Sequence, residues 1–409
     1  MDLKMKGILK FFLFLLGIPI LFLIGVLGVS VARYGLPYTY RALVYNDSGI
    51  DDFNIFPTRA IQNEAPVFDF AKPDAPLELA PFSYQFQRQI IQVSDPETFL
   101  ADRQTVAFII VKDDKILYEN YFNGYQRDSL ISIFSVSKSI TSTLIGFAVE
   151  DGYIASIDDS VARYIPELEE RGMDKFTIRD LLLMNSGIPY NQDDEAFFLF
   201  QIFYDDALNY YMPDLRKYAL SMRVNENEIG KAFIYNNHHP LFEGMILERV
   251  TGKSVSAYTE EKLWKPLGME FPASWNLDSE KSGFEHMESG FNARAIDFAR
   301  FGRLFLNKGN WNGEQVISEQ WVLEATSPDV NDNRLWAQYP DWPEYGGYYK
   351  YHWWGLKKPD GSYVFAARGH LGQVIYINPA KNIIIVRAGK KGKAAEWMLI
   401  ADAVAGTIR

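Results

Sequence analysis

Short apolar runs bounded by turn residues stand on both sides of a long central part of the chain. Residues 105–122, TVAFIIVKDDKILYENYF, predict two strands around an Asp-Asp turn. Three later runs also predict strands: SYVFAARG, GQVIYINP and NIIIVRAG. The sequence NPAKN at 378–382 predicts the turn between the last two, and a helix from about Ala394 to Gly406 closes the chain.

The central part has the spacing of helices. From Ser135 to Asp151 apolar residues recur at helical intervals, and the pattern stops at Gly152. Further on, TIRDLLLMNSG and SVSAYTEEKLWKPLGM each predict a short helix followed by a break. If the early and late strands share one antiparallel sheet, the fold is α+β. Helices flank that sheet, and an all-helical subdomain is inserted at about 152–330.

The N-terminal segment is apolar enough to cross a membrane. Lysines at positions 4, 6 and 10 precede a run from Phe11 to Ala32 that contains no charged residue. A helix of this length spans a bilayer, and the lysines predict a cytoplasmic N-terminus with the body on the periplasmic side of a bacterial-type inner membrane. The SVA at 30–32 also fits a cleavage site, so a removed signal peptide and a secreted body are the alternative. The length of the run favours a single-pass anchor.

These patterns divide the chain into three parts. Residues 1–32 are the anchor or signal segment. Residues 33–85 contain several prolines and few long periodic runs, which predicts a linker partly packed on the body. Residues 86–405 form the main domain, and 48% hydrophobic residues supply it with a sizeable core.

Composition excludes several classes of function. The formal net charge is -11, which argues against nucleic-acid binding, because that requires a basic face. The absence of cysteine removes disulfides, thiolate metal ligands and cysteine nucleophiles. The five histidines form no His-x-x-x-His or His-Glu-x-x-His pattern, so we expect no metal site and no cofactor.

The stretch IFSVSKSITS at 133–142 places serines beside a lysine at the start of a predicted helix. If Ser135 begins the helix, Lys138 lies on nearly the same face, because residues three apart are neighbours. Ser137 then points to about the opposite side, and Ser139 lies one turn deeper. A lysine followed by an apolar run is expected to be partly buried, which makes it a plausible proton acceptor. Free N–H groups at the helix start can stabilise an oxyanion.

Two further elements can complete such a site. Tyr235 and Asn237, in FIYNNHHPLFEG, present a phenol that can shuttle protons and an amide that can hold a substrate carbonyl. In RGHLGQVIYINP, the residues from His370 to Gly372 are predicted to open an edge strand, where a glycine lets a substrate backbone approach. Each motif alone also has an ordinary structural interpretation, because serines favour helix starts and asparagine pairs favour turns.

In this order, Ser-x-x-Lys, Tyr-x-Asn and His-x-Gly resemble the motifs of the serine β-lactamase and penicillin-binding protein superfamily. The chain is more closely similar to the class C-like serine hydrolases, which include esterases, D-amino-acid peptidases and 6-aminohexanoate-dimer hydrolases. Connecting segments extend the resemblance over roughly residues 85–405: TIRDLLLMNSGIPY, ERVTGKSV, WKPLGM and SGFNARAIDFARFGRLFLNKGNWNG. The resemblance implies a β-lactamase/transpeptidase-like fold.

The resemblance also implies roles for the catalytic residues. Ser135 would be the nucleophile, Lys138 the general base or its helper, and Tyr235 the proton shuttle. The reaction would be hydrolysis of a small-molecule ester or amide through an acyl-serine intermediate, with no metal and no cofactor.

Four residues are implied to bind the substrate: Asn237, His370, Gly372 and Gln373. The N–H of Gln373 or of a neighbour on that strand would complete the oxyanion hole. The chain departs from the superfamily pattern, because it has no Ser-Asp-Asn string and no Glu-x-x-Leu-Asn element, and His370 replaces the lysine of Lys-Thr-Gly. Histidine is mostly neutral near pH 7, which disfavours substrates with free carboxylates and favours esters or other amides.

Other functions stay open at this point. A D,D-carboxypeptidase-type cell-wall peptidase would use the same motifs. A catalytically inactive, membrane-tethered binding protein would keep the fold without turnover. A Ser-His-Asp hydrolase is disfavoured, because the sequence has no Gly-x-Ser-x-Gly nucleophile elbow.

Overall fold

The computed structural model describes residues 3–45, 47–73, 75–192, 198–336 and 338–408. The helices, numbered in chain order, are α1 (Leu3–Tyr34), α2 (Leu36–Tyr45), α3 (Pro96–Asp102), α4 (Val136–Glu150), α5 (Ile178–Leu182), α6 (Phe198–Gln201), α7 (Asp205–Tyr211), α8 (Leu215–Ala219), α9 (His239–Thr251), α10 (Val255–Thr259), α11 (Ala295–Leu306), α12 (Glu319–Thr326) and α13 (Ala394–Thr407).

The strands, numbered in the same way, are β1 (Thr58–Ile61), β2 (Phe82–Phe86), β3 (Gln89–Val93), β4 (Thr105–Lys112), β5 (Lys115–Tyr121), β6 (Ile131–Ser132), β7 (Ala273–Asn276), β8 (Phe291–Ala293), β9 (Asn310–Trp311), β10 (Glu314–Gln315), β11 (Gly347–Lys350), β12 (Trp353–Lys357), β13 (Tyr363–Gly369), β14 (Gln373–Asn378) and β15 (Ile383–Gly389). The chain forms two compact units, Met1–Ser48 with Asn191–Pro213, and Gly49–Tyr190 with Asp214–Arg409.

The first unit contains α1, α2, α6 and α7. Gly35 has a φ of +91° and turns the chain between α1 and α2, a conformation that glycine adopts without steric cost. The buried hydroxyls of Ser30 and Thr39 lie 2.8 Å apart across this turn. Along the 18 residues Gly17–Tyr34 the mean hydropathy is 1.8 and only 6% of the segment is buried. By length and composition, α1 is therefore apolar enough and long enough to cross a membrane.

The second unit is built on a seven-stranded antiparallel sheet with the order β11-β12-β13-β14-β15-β4-β5. Strands from both ends of the sequence therefore meet in one sheet, as predicted. The Asp-Asp turn joins β4 to β5, with positive φ at Asp113 and Asp114. Helix α13 packs on one face, where Met398 and Ile400 share a hydrophobic core with Ile385. Helix α11 packs on strands β14 and β15. The predicted α+β class is confirmed.

The regular structure of segment 152–330 consists mainly of helices, but the segment also contributes short strands. Strands β7 and β8 pair with β1 and β6 in a second, four-stranded sheet. The all-helical description is therefore wrong in this detail. Runs of two to four residues are too short to show the alternation that reveals a strand in a sequence. Residues 33–48 fall in the first unit and 49–85 in the second.

Candidate active site

Ser135 stands at the start of α4, immediately after a sharp turn. The φ of Phe134 is +49°, a left-handed conformation that non-glycine residues adopt rarely and at an energetic cost. Helix α4 is buried along almost its whole length, from Val136 to Ala148. A buried helix that begins at a turn presents its first residue at one end of the core, where substrates can reach it.

The side chains of Lys138 and Ser135 are in contact. Lys138 Nζ lies 2.9 Å from Ser135 Oγ and donates a second hydrogen bond, also of 2.9 Å, to the carbonyl oxygen of Glu288. Only 1% of Lys138 is exposed. Burial disfavours the charged form of an amine, and a neutral amine at this distance can accept the hydroxyl proton.

The other serines of the motif are engaged in the core. Ser137 Oγ accepts a hydrogen bond from the backbone N–H of Phe291 at 3.1 Å. Ser139 Oγ donates to the carbonyl oxygen of His352 at 2.7 Å. Both serines are fully buried. Of the three candidates, the structure brings Ser135 to the lysine.

Tyr235 lies beside the lysine on a loop that precedes α9. Lys138 Nζ is 4.9 Å from the centre of the Tyr235 ring. The same ring lies 5.6 Å from the ring of Trp354, and the Tyr235 N–H donates to Gln338 Oε1 at 2.6 Å. Asn237 Nδ2 donates to the hydroxyl of Tyr190 at 2.7 Å. The structure thus groups Tyr235 with Lys138.

The His-x-Gly element does not open an edge strand, so that prediction is wrong. Residues His370–Gly372 form a short helical turn between β13 and β14, and β14 is an inner strand of the sheet. Leu371 and Gly372 have φ values of +58° and +81°, and two successive left-handed residues cannot continue a strand. The exposed His370 ring lies 5.4 Å from the ring of Phe134, next to the predicted nucleophile.

Gly372 and Gln373 make structural contacts. A Cβ at Gly372 would lie 2.3 Å from Trp397 Cδ1 on α13. Gln373 is 1% exposed. Its side-chain amide donates to the carbonyl oxygen of Gly389 at 2.7 Å and accepts the Gly389 N–H at 3.1 Å. Both residues therefore fix the β13–β14 turn to its neighbours.

The close backbone approach to the serine is made by Gly369, at the end of β13. A Cβ at Gly369 would lie 2.3 Å from the carbonyl oxygen of Ile133 and 3.3 Å from the backbone nitrogen of Ser135. Only glycine fits such an approach. The signal in the sequence was a glycine that closes an apolar run directly before His370.

A buried polar network that was not predicted from the sequence lies beside Tyr235. His352 Nε2 lies 2.9 Å from both carboxylate oxygens of Glu243, and both side chains are fully buried. His352 Nδ1 is 2.9 Å from the Tyr349 hydroxyl. Burial raises the pKa of the Tyr349 phenol well above its usual range, and Tyr235 and Glu243 add to the effect. Tyr349 is therefore held in its protonated form.

No metal site accompanies this arrangement in the part of the chain that the structure describes. No group of three or more His, Asp or Glu residues is placed there to hold an ion. A serine, a buried lysine and a tyrosine can perform acyl transfer with their own protons.

An antiparallel sheet flanked by helices, with a serine and a lysine at the start of a buried helix, defines an acyl-serine hydrolase of the β-lactamase-like fold. Residues 97–405 match the family model described as Beta-lactamase, and the chain belongs to that family. The resemblance found in the sequence is confirmed.

Relatives agree with this assignment. A 6-aminohexanoate-dimer hydrolase from Paenarthrobacter ureafaciens is 27% identical over 308 residues, 72% of this chain and 75% of the relative. An N-acetylmuramyl-L-alanine amidase from Bacillus subtilis (strain 168) is 21% identical over 371 residues, 75% of this chain and 81% of the relative. A solved structure from Bacillus anthracis, named as a candidate 6-aminohexanoate-dimer hydrolase, has a TM-score of 0.71 at 24% identity and covers 85% of this chain and 90% of its own. The chain is an enzyme, a serine hydrolase of the β-lactamase-related type.

Proposed function

We propose that this protein is a membrane-anchored, extracytoplasmic hydrolase that cleaves an ester or amide bond, with Ser135 as the nucleophile. The observation that carries the proposal is the 2.9 Å contact between Lys138 Nζ and Ser135 Oγ at the start of a buried helix. A nucleophile and a base within hydrogen-bond distance are what covalent catalysis by a serine requires.

The mechanism follows from the groups around the hydroxyl. Ser135 Oγ attacks the carbonyl carbon while its proton passes to Lys138 or, through it, to Tyr235. The oxyanion is held by the Ser135 N–H and the adjoining backbone at the end of β13, where Gly369 makes its close approach. Tyr235 then gives the proton to the alcohol or amine of the substrate. The bond between this group and the carbonyl carbon breaks, and the acyl group stays on Ser135 as an ester. Water then attacks the acyl carbon of this ester, and a proton of the water passes by the same groups to Ser135 Oγ as the acid leaves.

The names of relatives support a hydrolase that can act on an amide. The Paenarthrobacter relative is named for the hydrolysis of 6-aminohexanoate dimer, and the Bacillus subtilis relative is named an amidase. Asn237 and His370 are the residues proposed to position the substrate, since the first lies two residues after Tyr235 and the second contacts the ring that precedes Ser135. No nucleic acid or metal is part of the proposal.

The membrane anchor is supported by α1. Within residues 17–34 of this helix many apolar side chains are exposed, among them Leu21 at 70% and Ile24 at 59%. Such a surface is stable in lipid and unfavourable in water. The lysines that precede the apolar run beginning at Phe11 predict a cytoplasmic N-terminus, with the hydrolase unit on the outer side.

A labelling experiment tests the proposal. The full chain, purified in detergent, is incubated with a fluorescent phosphonate and with p-nitrophenyl esters of short acids. We expect labelling and hydrolysis in the wild type and in Ser137→Ala, and neither in Ser135→Ala.

Ser142→Ala is the matched control. Ser142 lies on the same helix, and its buried hydroxyl makes no hydrogen bond to the residues that the structure describes. The substitution should therefore leave both signals unchanged. Hydrolysis that persists in Ser135→Ala, or a well-folded wild type that does not react, would contradict the proposal.

A further inference from the structure

Arg368 is a buried cation next to the predicted active site. It lies on β13, directly before Gly369, and is 7% exposed. Its Nε and Nη1 atoms are buried and make no hydrogen bond to the residues that the structure describes. Burying a guanidinium without hydrogen bonds or a counter-charge is unfavourable, and buried groups of this kind call for an explanation.

Aromatic rings enclose this guanidinium. Its central carbon lies 4.1 Å from the ring centre of Trp354 and 4.5 Å from that of Trp342. Cation–π contacts offset part of the cost of burial. Burial lowers the pKa of Arg368 to about 10, so the group still carries its charge at neutral pH. A positive charge therefore stands at a buried position beside the predicted active site.

A second buried arginine on the same face of the sheet is bonded in a different way. Arg387 also stacks on a tryptophan, 4.0 Å from the ring centre of Trp397. Its guanidinium, however, donates to backbone carbonyl oxygens: those of Leu371, Gly372, Arg103 and Lys391. Arg387 thus has a structural role that explains its burial, and the hydrogen bonds that define such a role are not found at Arg368 among the described residues.

Tyr235 shares the ring of Trp354 with Arg368. The Tyr235 and Trp354 rings are 5.6 Å apart, and Lys138 Nζ lies 4.9 Å from the Tyr235 ring. Negative charge on Tyr339, on Tyr235 or on Tyr349 would favour the charged form of Arg368. Through Trp354, the Arg368 guanidinium on β13 is therefore a neighbour of the phenol that the Lys138 amine on α4 contacts.

Two other tyrosines, Tyr349 and Tyr339, lie near Tyr235. Tyr349 faces it from β11, with the Glu243–His352 pair behind, and burial keeps the Tyr349 phenol protonated. Tyr339 approaches from the preceding loop, where the two rings lie 6.4 Å apart. The Tyr235 ring is in contact with Lys138, whose Nζ lies 4.9 Å from the ring centre.

We propose that Arg368 is a positioning residue that stabilises the phenolate of Tyr235 as this residue passes protons between Ser135 and the leaving group. The inference rests on the proposed catalytic role of Tyr235. No bond to Arg368 forms or breaks, because its charge acts through space. The Tyr235 proton goes to the leaving group and is replaced by the proton from Ser135. Between these two transfers the Tyr235 oxygen is a phenolate, and the positive charge of Arg368 stabilises it.

The test is the pH dependence of kcat/KM for a neutral p-nitrophenyl ester, and of the phosphonate labelling rate, between pH 5 and 9. The full chain is used in detergent. Without the cation the Tyr235 phenol holds its proton more tightly. In Arg368→Met the acid limb of the pH–rate profile, the part where the rate falls at low pH, should therefore move about one to two pH units upward. The labelling rate at pH 6 should then fall about 10- to 100-fold, and the loss should shrink toward pH 9.

Three variants make this result specific. Arg368→Lys keeps the charge and should keep the acid limb of the wild type. Arg387→Met removes the other stacked arginine, and it should lower Tm and leave the limb in place. In a Tyr235→Phe background, Arg368→Met should move the limb no further, because the phenol on which the charge acts is gone. If Arg368→Met is poorly folded, Arg368→Gln, which also lacks the charge, carries the same expectation.

Several outcomes overturn the inference. An unmoved acid limb in folded Arg368→Met is one, and an equal shift of the limb when Arg368→Met is made in Tyr235→Phe is another. A loss confined to esters that bear a carboxylate, with an unmoved limb, would assign Arg368 to substrate binding instead. A wild type that neither labels nor turns over ester would remove the proposed function itself, which is a different result from an unmoved limb in an active enzyme.

Discussion

Lys138 Nζ lies 2.9 Å from Ser135 Oγ, and the lysine is buried so completely that 1% of it remains exposed. Its second hydrogen bond, to the carbonyl oxygen of Glu288, fixes the amine in place. A general base has to lie within hydrogen-bond reach of the proton that it takes, and this contact meets that condition before any substrate binds.

Removal of the amine should therefore abolish most of the reactivity. Lys138→Met keeps the length and the apolar stem of the side chain but has no proton acceptor. We expect the labelling rate to fall about 10²- to 10⁴-fold, the range typical for loss of a general base. Because the variant no longer buries an amine, its Tm should stay equal or rise. A folded Lys138→Met enzyme with a rate within threefold of the wild type would show that the lysine is not the base.

The approach of β13 to the nucleophile predicts an intolerant glycine. In Gly369→Ala the new Cβ would lie 2.3 Å from the carbonyl oxygen of Ile133, so the backbone beside the Ser135 N–H has to shift. Displacing one oxyanion donor costs about 10²- to 10³-fold in turnover. We expect a loss of that size in ester hydrolysis.

Gly406→Ala is the matched control for this substitution. Gly406 lies in α13, and a Cβ there meets no atom within 4 Å. Its turnover should equal that of the wild type. Equal turnover in Gly369→Ala as well would mean that the end of β13 takes no part in the site.

The sequence predicted the fold well where apolar runs were long. Strands β4, β5, β13, β14 and β15 and helix α13 were all anticipated, because each has a continuous apolar pattern bounded by turn residues. Strands such as β6 and β8, with two or three residues each, have no such pattern and are formed by pairing with a distant partner. The His370–Gly372 turn was mistaken for a strand, because a positive φ at a leucine leaves no mark in the sequence.

The candidate site was only partly visible in the sequence. Ser135 and Lys138 could be paired from helical spacing, which depends on local geometry alone. Glu243 and His352 could not be paired from the sequence, because their contact depends on how α9 packs against the segment between β11 and β12. Arg368 was hidden for the same reason, since only the packed structure encloses its guanidinium between two tryptophans.

A buried carboxyl group in α11 should give stability an unusual dependence on pH. Asp297 is fully buried against Arg300 and accepts the N–H groups of Glu270 and Phe271. Burial raises its pKa from 3.8 to about 6. The folded state therefore binds this proton more tightly than the unfolded chain, and the contribution of Asp297 to stability falls as the pH rises from about 4 to 6.

Asp297→Asn lacks this proton. The free energy of unfolding, measured with urea in detergent, should therefore decrease more for the wild type than for the variant over this interval, by about 2 kcal/mol. The comparison of slopes removes any constant effect of the new amide. Parallel curves for the two proteins would show that Asp297 has the same pKa in both states.

The proposed topology can be tested because the natural chain has no cysteine. A single cysteine at Val330, which is 91% exposed, should react with a membrane-impermeant maleimide in cells whose outer barrier is open. A cysteine at Lys4, before the apolar run, should react only after lysis. The reverse pattern, or reaction of neither site before lysis, would place the hydrolase unit in the cytoplasm.

The most direct test of the central claim is the mass of the intermediate. The full chain is mixed with a slowly hydrolysed p-nitrophenyl ester, quenched in acid, digested and examined by mass spectrometry. We expect one acyl group on the peptide that contains Ser135, assigned by fragmentation to that residue, and no adduct in Ser135→Ala. An acyl group on Ser137 or on another residue, or ester turnover by Ser135→Ala without an adduct, would contradict the assignment of Ser135 as the nucleophile.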